Sequence, residues 1–366
     1  MVVLYHATLL ENASRPDVMN GLASGLGAEI LRVASTLKLG VALFFVISGY
    51  CIAAAADSAR RRPRGVREYC VRRFRRIYPP LWAVILASVL FFLLVDYWPL
   101  SGLLSQPPWA QPRPFWYSMS QWIGNLTLTE TWRHHVWGDP RGHFPGQAWT
   151  LCYEEQFYFV TGLLAWLQPQ RFFRGMCGVT ALTMAAMLIG RRLGVDTSGF
   201  FFDGSWLLFA AGVGVYYRLV HATARQAPLI DLALVAAIPA SRYLLVPIEG
   251  ATVAFVFAAA LPWLYRVDRR VSRSAWLRPL AVCGQMCYSL YLVHQLPVKA
   301  VSEFLRRLGV TGEWPTLLVT VPACLAVSLG LGWLFHVAIE RRFLNRPIDC
   351  APASMKVAGV LARPAI

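Results

Sequence analysis

A chain of 366 residues that is 57% hydrophobic and only 15% charged, with a mean hydropathy of +0.47 and 14 Trp, lies outside the range of soluble globular domains and reads as an all-α polytopic membrane bundle. The formal net charge of +16 does not make it a nucleic-acid binder, because the basic residues fall between apolar runs and not on one face of a soluble domain. Eight Cys show no CxxC and no Cys/His ligand spacing, so neither a disulfide framework nor a metal is expected, and Cys283 and Cys287, one helical turn apart, read as small packing residues.

Apolar runs recur about ten times, at 1–10, 36–56, 78–98, 148–167, 175–191, 200–217, 229–246, 250–265, 279–299 and 315–339, which predicts about ten transmembrane helices. If the chain starts in the cytoplasm, the segments 57–77, 168–175, 218–228, 266–278 and 340–366 lie inside and hold 23 of the 35 Lys and Arg. That asymmetry predicts an N-in, C-in protein of the cell inner (cytoplasmic) membrane. Residues 1–347 are expected to form one transmembrane domain, followed by a short cytoplasmic tail at 348–366. The start lacks a basic n-region and a cleavage site. Among the outer connections only 99–147 is long enough to fold over a substrate.

In chain order, the first run, MVVLYHATLL, rises only about 15 Å, half of a hydrocarbon core, so the first helix reads as truncated at a mis-assigned start. It carries His6, either a packed neutral imidazole or a titrating group inside the membrane. In GVALFFVISGYCIAAAA (40–56), the pair Ser48 and Gly49 lets another helix or a ligand approach closely. Nine Arg follow between Arg60 and Arg76. They hold that loop inside, and Arg72, Arg73 and Arg76, on neighbouring turns, can also converge on a phosphate through their guanidinium forks. The outer segment contains WRHHVWGDPRGHFPGQ, where His134, His135, Asp139 and His143 match no standard metal-site spacing.

The segment QAWTLCYEEQFY (147–158) places two carboxylates at the head of an apolar run. On a helix Glu154 shares a face with Phe157 and Tyr158, whereas Glu155 points about 100° away. An acid inside a membrane helix costs roughly 2.5–3.5 kcal/mol unless partnered, which marks Glu154 as a functional candidate. Glu155 is expected in the headgroup layer. Cys152 beside them reads as a packing thiol. In CYSLYLVHQLP (287–297), Tyr288, Tyr291 and His294 follow a three-residue rhythm that sets an imidazole beside a phenol. Glu340, among Arg341, Arg342 and Arg346, reads as an inner-face ion cluster.

With these residues laid out, the chain resembles the acyltransferase-3 family of integral membrane acyltransferases. The resemblance rests on YHA at 5–7, GVALFFVISGY at 40–50, RRFRRIYP at 72–79, WTLCYEEQFY at 149–158 and YSLYLVH at 288–294, in that order on successive spans. It implies a ten-span fold that transfers an acyl group, often acetyl from acetyl-CoA, to a hydroxyl of a saccharide or other extracytoplasmic molecule, including lipopolysaccharide, exopolysaccharide, peptidoglycan or an antibiotic. It implies that His6 is the essential histidine, that Arg72, Arg73 and Arg76 are the basic motif, and that Glu154 is the glutamate after Trp149. The family's Arg eleven residues before the histidine would precede Met1. A stand-alone member without a fused hydrolase-like domain is expected.

The chemistry expected on that basis is O-acylation with acyl-CoA as co-substrate and no bound cofactor. His6 acts as general base, Glu154 orients the imidazolium, and the Arg cluster holds the CoA phosphates. Ser48, Trp149, Tyr291 and His294 are further site candidates. The acceptor is a saccharide or lipid-linked glycan, the surroundings are membrane lipids, and nucleic acid plays no part. Two rival classes are a transporter or flippase of a lipid-linked glycan and a scaffold in a polysaccharide-synthesis complex.

Overall fold

The structure is a computed structural model, and it describes residues 1–21, 24–97, 113–245, 248–271 and 274–344. The expected tail at 348–366, Arg346 and residues 99–112 of the outer connection lie outside the described residues. Among the described residues every regular element is helical.

The main helices are α1 (Val2–Ser14), α2 (Leu26–Thr36), α3 (Gly40–Ala59), α4 (Gly65–Tyr97), α5 (Met119–Thr127), α6 (Glu130–Trp137), α7 (Trp149–Leu167), α8 (Phe172–Leu193), α9 (Ser205–Val220), α10 (Gln226–Leu244), α11 (Ala251–Val271), α12 (Arg278–Gln285), α13 (Cys287–Val293), α14 (Gln295–Arg307) and α15 (Val321–Phe335). Among the described residues five stretches are long and apolar enough to cross a membrane: Leu26–Ala59, Gly65–Val95, Pro169–Leu193, Gln226–Leu244 and Glu313–Phe343. Ser205–Val220 and Ala251–Val267 are shorter apolar helices. The expected ten is thus not reached on length and apolarity alone, for physical reasons. Helix α7 carries Glu154, Glu155 and Gln156 within its apolar run, and α1 has only 13 residues. The expected span 279–299 is not one helix but α12, α13 and α14 in succession, interrupted at Met286 and His294. Pro297 has no N–H to offer the Val293 carbonyl, which favours the second interruption.

The core lies between α3, α7 and α9. Helices α3 and α9 touch backbone to backbone: a Cβ on Gly49 would sit 2.1 Å from the Phe209 carbonyl oxygen, and one on Gly212 would sit 1.9 Å from that of Val46. Only glycine permits such an approach. The close contact lets Phe157 of α7 stack on Phe209 with ring centroids 4.4 Å apart and meet Trp206 edge-on at 5.7 Å. All three rings are buried. Helix α1 packs on α2, α14 and α15, which holds His6 beside the broken α13–α14 segment.

Over the end of the bundle opposite the arginine-rich start of α4 sits a cap made of α5, α6 and residues 138–148. A buried ion cluster builds it. Arg133 Nε donates to Glu130 Oε2 at 2.7 Å, Arg133 Nη2 donates to Glu130 Oε1 at 3.0 Å, and Arg133 also contacts Asp139. Glu130 Oε1 takes the Gly142 N–H at 2.7 Å, and Asn125 grips Gly142 and Phe144 through their backbones. Phe144 then seats among Phe92, Tyr117 and Trp122. The strap that follows leads Gln147 into the bundle.

Breaking a buried pair leaves an uncompensated charge, so Arg133→Met is expected to destabilise by about 3–5 kcal/mol, measured as a lower thermal midpoint in detergent. Asp139 adds a pH signature. Hydrogen bonds from Ser120 and Arg133 hold its carboxyl down at about 2, below the roughly 3.9 of an unfolded Asp. Its stabilisation is therefore complete above about pH 4 and is lost as pH falls through about 2. The gap in stability between the wild type and Asp139→Asn should be constant near neutrality and close across that acid window.

Candidate active site

Glu154 is 8% exposed and faces α3 from the second turn of α7. Its Oε1 accepts from Ser48 Oγ at 2.8 Å and from the Tyr158 hydroxyl at 2.6 Å. Arg73 of α4 donates to that same hydroxyl at 3.3 Å, and its guanidinium lies 4.9 Å from the centre of the Tyr158 ring. The acid, two hydroxyls and a cation thus form one chain, which is how a carboxylate becomes tolerable inside an apolar bundle. Glu155 diverges as its position on the helix requires and turns to Tyr78 of α4. Cys152 is buried against the backbone of Glu130 and Thr131, away from Glu154.

The three motif arginines separate. Arg72 donates to Glu68 one turn before it, at 3.3 Å. Arg73 points inward to Tyr158, and the exposed Arg76 lies within electrostatic reach of Cys51 and Tyr288. Arg73 and Arg76 are both within electrostatic reach of Cys51, while Arg72 belongs to the surface pair with Glu68.

Past Glu154 the polar groups continue along α13. The Tyr288 hydroxyl donates to the Ile77 carbonyl at 2.9 Å. The Tyr291 hydroxyl meets Thr150 Oγ1 at 2.7 Å and the Gln147 carbonyl, and the Tyr291 ring stacks on Phe44. Gln147 Nε2 returns a bond to the Leu292 carbonyl at 2.5 Å. Trp149, 38% exposed, sets its edge against Phe45 and Tyr153.

His294 occupies the interruption before α14 and is 2% exposed. Its Nδ1 lies 2.8 Å from the Tyr291 carbonyl and 3.1 Å from that of Leu290. A carbonyl oxygen only accepts, so in the neutral ring Nδ1 carries the proton and Nε2 the lone pair. Nε2 is buried with no hydrogen-bond partner among the described residues. The His6 ring lies 5.4 Å from that of His294, centroid to centroid, and Lys299, itself buried, is within electrostatic reach of both. His6 and Glu154 thus belong to different groups: the acid is satisfied by Ser48 and Tyr158, and the imidazole neighbours His294.

Glu340 and Lys299 depart from the sequence expectation. Glu340 is not an ion-pair partner of Arg341 and Arg342. It is 2% exposed and takes bonds from Ser289 Oγ at 2.5 Å and His336 Nδ1 at 2.7 Å. Lys299, which counts in the sequence only toward the charge balance of the two membrane faces, lines a small cavity with Gln147, Phe144 and Gln295. Nothing in the local sequence marks Glu340 as inward. For Lys299 a hint exists, since a lysine four residues after Gln295 shares its helix face. Asp139 is committed to the Arg133 cluster, so the His134, His135, Asp139 and His143 group does not assemble.

A family model described as an acyltransferase domain matches residues 1–336. The O-acetyltransferase OatA of Staphylococcus aureus (strain NCTC 8325 / PS 47) is 22% identical over 340 residues, covering 85% of this chain and 52% of the relative. The peptidoglycan O-acetyltransferase OatA of Listeria monocytogenes serovar 1/2a is 23% identical over 347 residues, covering 85% and 51%. The acyltransferase MdmB of Streptomyces mycarofaciens is 24% identical over 375 residues, covering 89% and 87%. The chain spans about half the length of the OatA relatives. No solved structure matches.

Glu154→Ala should strand the Ser48 and Tyr158 hydroxyls, at about 1–3 kcal/mol for each buried group left unsatisfied. Glu154→Gln keeps an acceptor oxygen in place. Thermal melting in detergent should therefore rank the wild type and Glu154→Gln close together and Glu154→Ala clearly below.

Proposed function

The chain belongs to the acyltransferase-3 family, and on that premise we propose that it is a multi-pass O-acyltransferase of the cell inner membrane, passing an acyl group, expected to be acetyl, from acyl-CoA to a hydroxyl of a saccharide or related extracytoplasmic acceptor. The observation that carries this reading is the polar column: Arg73, Tyr158, Glu154 and Ser48 toward one end of the bundle, Tyr291, Thr150 and Gln147 in the middle, His294 and His6 toward the other. A transfer that begins with a donor on one side of a membrane and finishes on an acceptor at the other needs such a lined path. The names of the relatives, two O-acetyltransferases and an acyltransferase, agree with the reaction class and with a glycan acceptor.

In this reading Arg73 and Arg76 bind the phosphates of the donor, and that remote contact positions the thioester. At the far end the acceptor hydroxyl attacks the thioester carbon. The new C–O bond forms as the C–S bond breaks, the hydroxyl proton passes to His6, and the CoA thiolate leaves and takes up a proton. A positioned base of this kind is worth typically 10²–10⁴-fold. Lys299 would stabilise the oxyanion that develops on the carbonyl. His294, its Nδ1 fixed by two carbonyls, offers Nε2 as a second acceptor for the same proton.

His6→Ala should lower acyl transfer by at least about 10²-fold in purified protein given labelled acetyl-CoA and acceptor, with membrane insertion unchanged. Near-normal acylation by that variant removes His6 from the chemistry. Arg73→Ala combined with Arg76→Ala should raise the KM for acyl-CoA more than it lowers kcat. In the same assay a transporter moves the acceptor without releasing free CoA.

A further inference from the structure

We propose that His134, His135 and Asp196 form a binding site for a divalent transition metal of the zinc type, joining the cap to the connection between α8 and α9. The three residues come from two parts of the chain: the histidines from the last turn of α6, and the acid from the turn after α8. One ligand atom from each lies within 4.8 Å of the others. Two imidazoles and a carboxylate are a donor set that zinc accepts, with water free to complete the shell.

The surrounding bonds prepare each ligand. His135 Nε2 lies 2.8 Å from the Ser198 carbonyl, so it carries the proton and leaves the Nδ1 lone pair for a cation. A metal-bound histidine usually gives its other ring N–H to a carbonyl or carboxylate in this way. The His135 ring is held flat on Phe200, with centroids 5.0 Å apart and planes 19° apart. Asp196 Oδ1 accepts the Ser198 N–H at 2.9 Å, and its Oδ2 lies 3.9 Å from His134 Nε2. Both ring nitrogens of His134 are buried without a hydrogen-bond partner among the described residues. Arg141 stands beside the site and bonds Ser198 Oγ at 2.8 Å, and the Asp196 carboxylate offsets its charge.

The anchor points are stiff. Gly199, three residues after Asp196, has φ +90°, and a Cβ there would fall 1.9 Å from the Thr131 carbonyl oxygen of α6. The turn and the helix are thus already in backbone contact. Bonds to zinc of about 2.0–2.2 Å require these donors, within 4.8 Å of one another, to close on the ion. The site is hidden in the sequence because its acid lies far downstream of the paired histidines.

The test uses the full chain in detergent, freed of metal with a chelator and titrated with Zn²⁺ by calorimetry and with Co²⁺ by visible absorption. One saturable equivalent is expected, with a Co²⁺ ligand-field band and a higher melting temperature in Zn²⁺. Asp196→Asn, at an exposed side chain, and His134→Ala should each weaken binding at least tenfold, while His143→Ala leaves it unchanged. Absence of saturable binding in the wild type, or binding that survives both Asp196→Asn and His134→Ala, overturns the proposal. The readout is metal binding and does not depend on acyl transfer.

Discussion

The carboxylate of Glu154 sets the terms for the rest of this bundle. An acid in an apolar helix is expensive unless its charge is met, and here it is met by Ser48 from α3 and Tyr158 from one turn along α7. Those partners have further requirements of their own. Beside Ser48, Gly49 lets α3 nest against α9 at a distance that a Cβ would forbid. Tyr158 in turn draws in Arg73. One buried acid therefore fixes the mutual rotation of three helices and the depth of an arginine.

A broken helix meets the same constraint at the other end. Backbone groups freed at a break inside a membrane protein must be paired with something nearby. At the interruption the His294 side chain meets part of this need: its Nδ1 lies 2.8 Å from the Tyr291 carbonyl and also reaches that of Leu290, which keeps the His294 backbone N–H. That pairing fixes the tautomer and buries Nε2 as an acceptor beside His6. Gln147 binds the Leu292 carbonyl from the cap side, so the strap tied down by the Arg133 cluster also holds α13. The ion cluster of the cap and the histidine pair are mechanically linked through that glutamine.

How much of this is legible in the sequence depends on whether the signal is local. The rotation that separates Glu154 from Glu155 is legible, because 100° per residue is a property of the helix itself, and the two acids do meet α3 and α4 respectively. The three-residue rhythm of Tyr288, Tyr291 and His294 is legible for the same reason, and the rings of Tyr291 and His294 are 6.4 Å apart. Hydropathy marks the long runs, but it carries the reading across 279–299 as one span, since averaging over a window hides a proline three residues past a histidine. Sequence neighbours suggest ion pairs for Glu340, while an inward turn at a π-helical segment delivers it to Ser289 and His336. Asp196 is invisible because only the fold brings it to His134.

The separation of Glu154 from His6 has a physical consequence. Each has its own local neighbours, without a bond between the acid and the imidazole among the described residues. The acid and Arg73 form one polar group and the two imidazoles another. Tyr291 stands between them: its hydroxyl is held by Thr150 and Gln147, and its ring lies between Phe44 and Tyr288. A flat ring with its only polar atom occupied and its faces against other aromatic rings sets apolar surface between the two polar groups, hostile to ions and water.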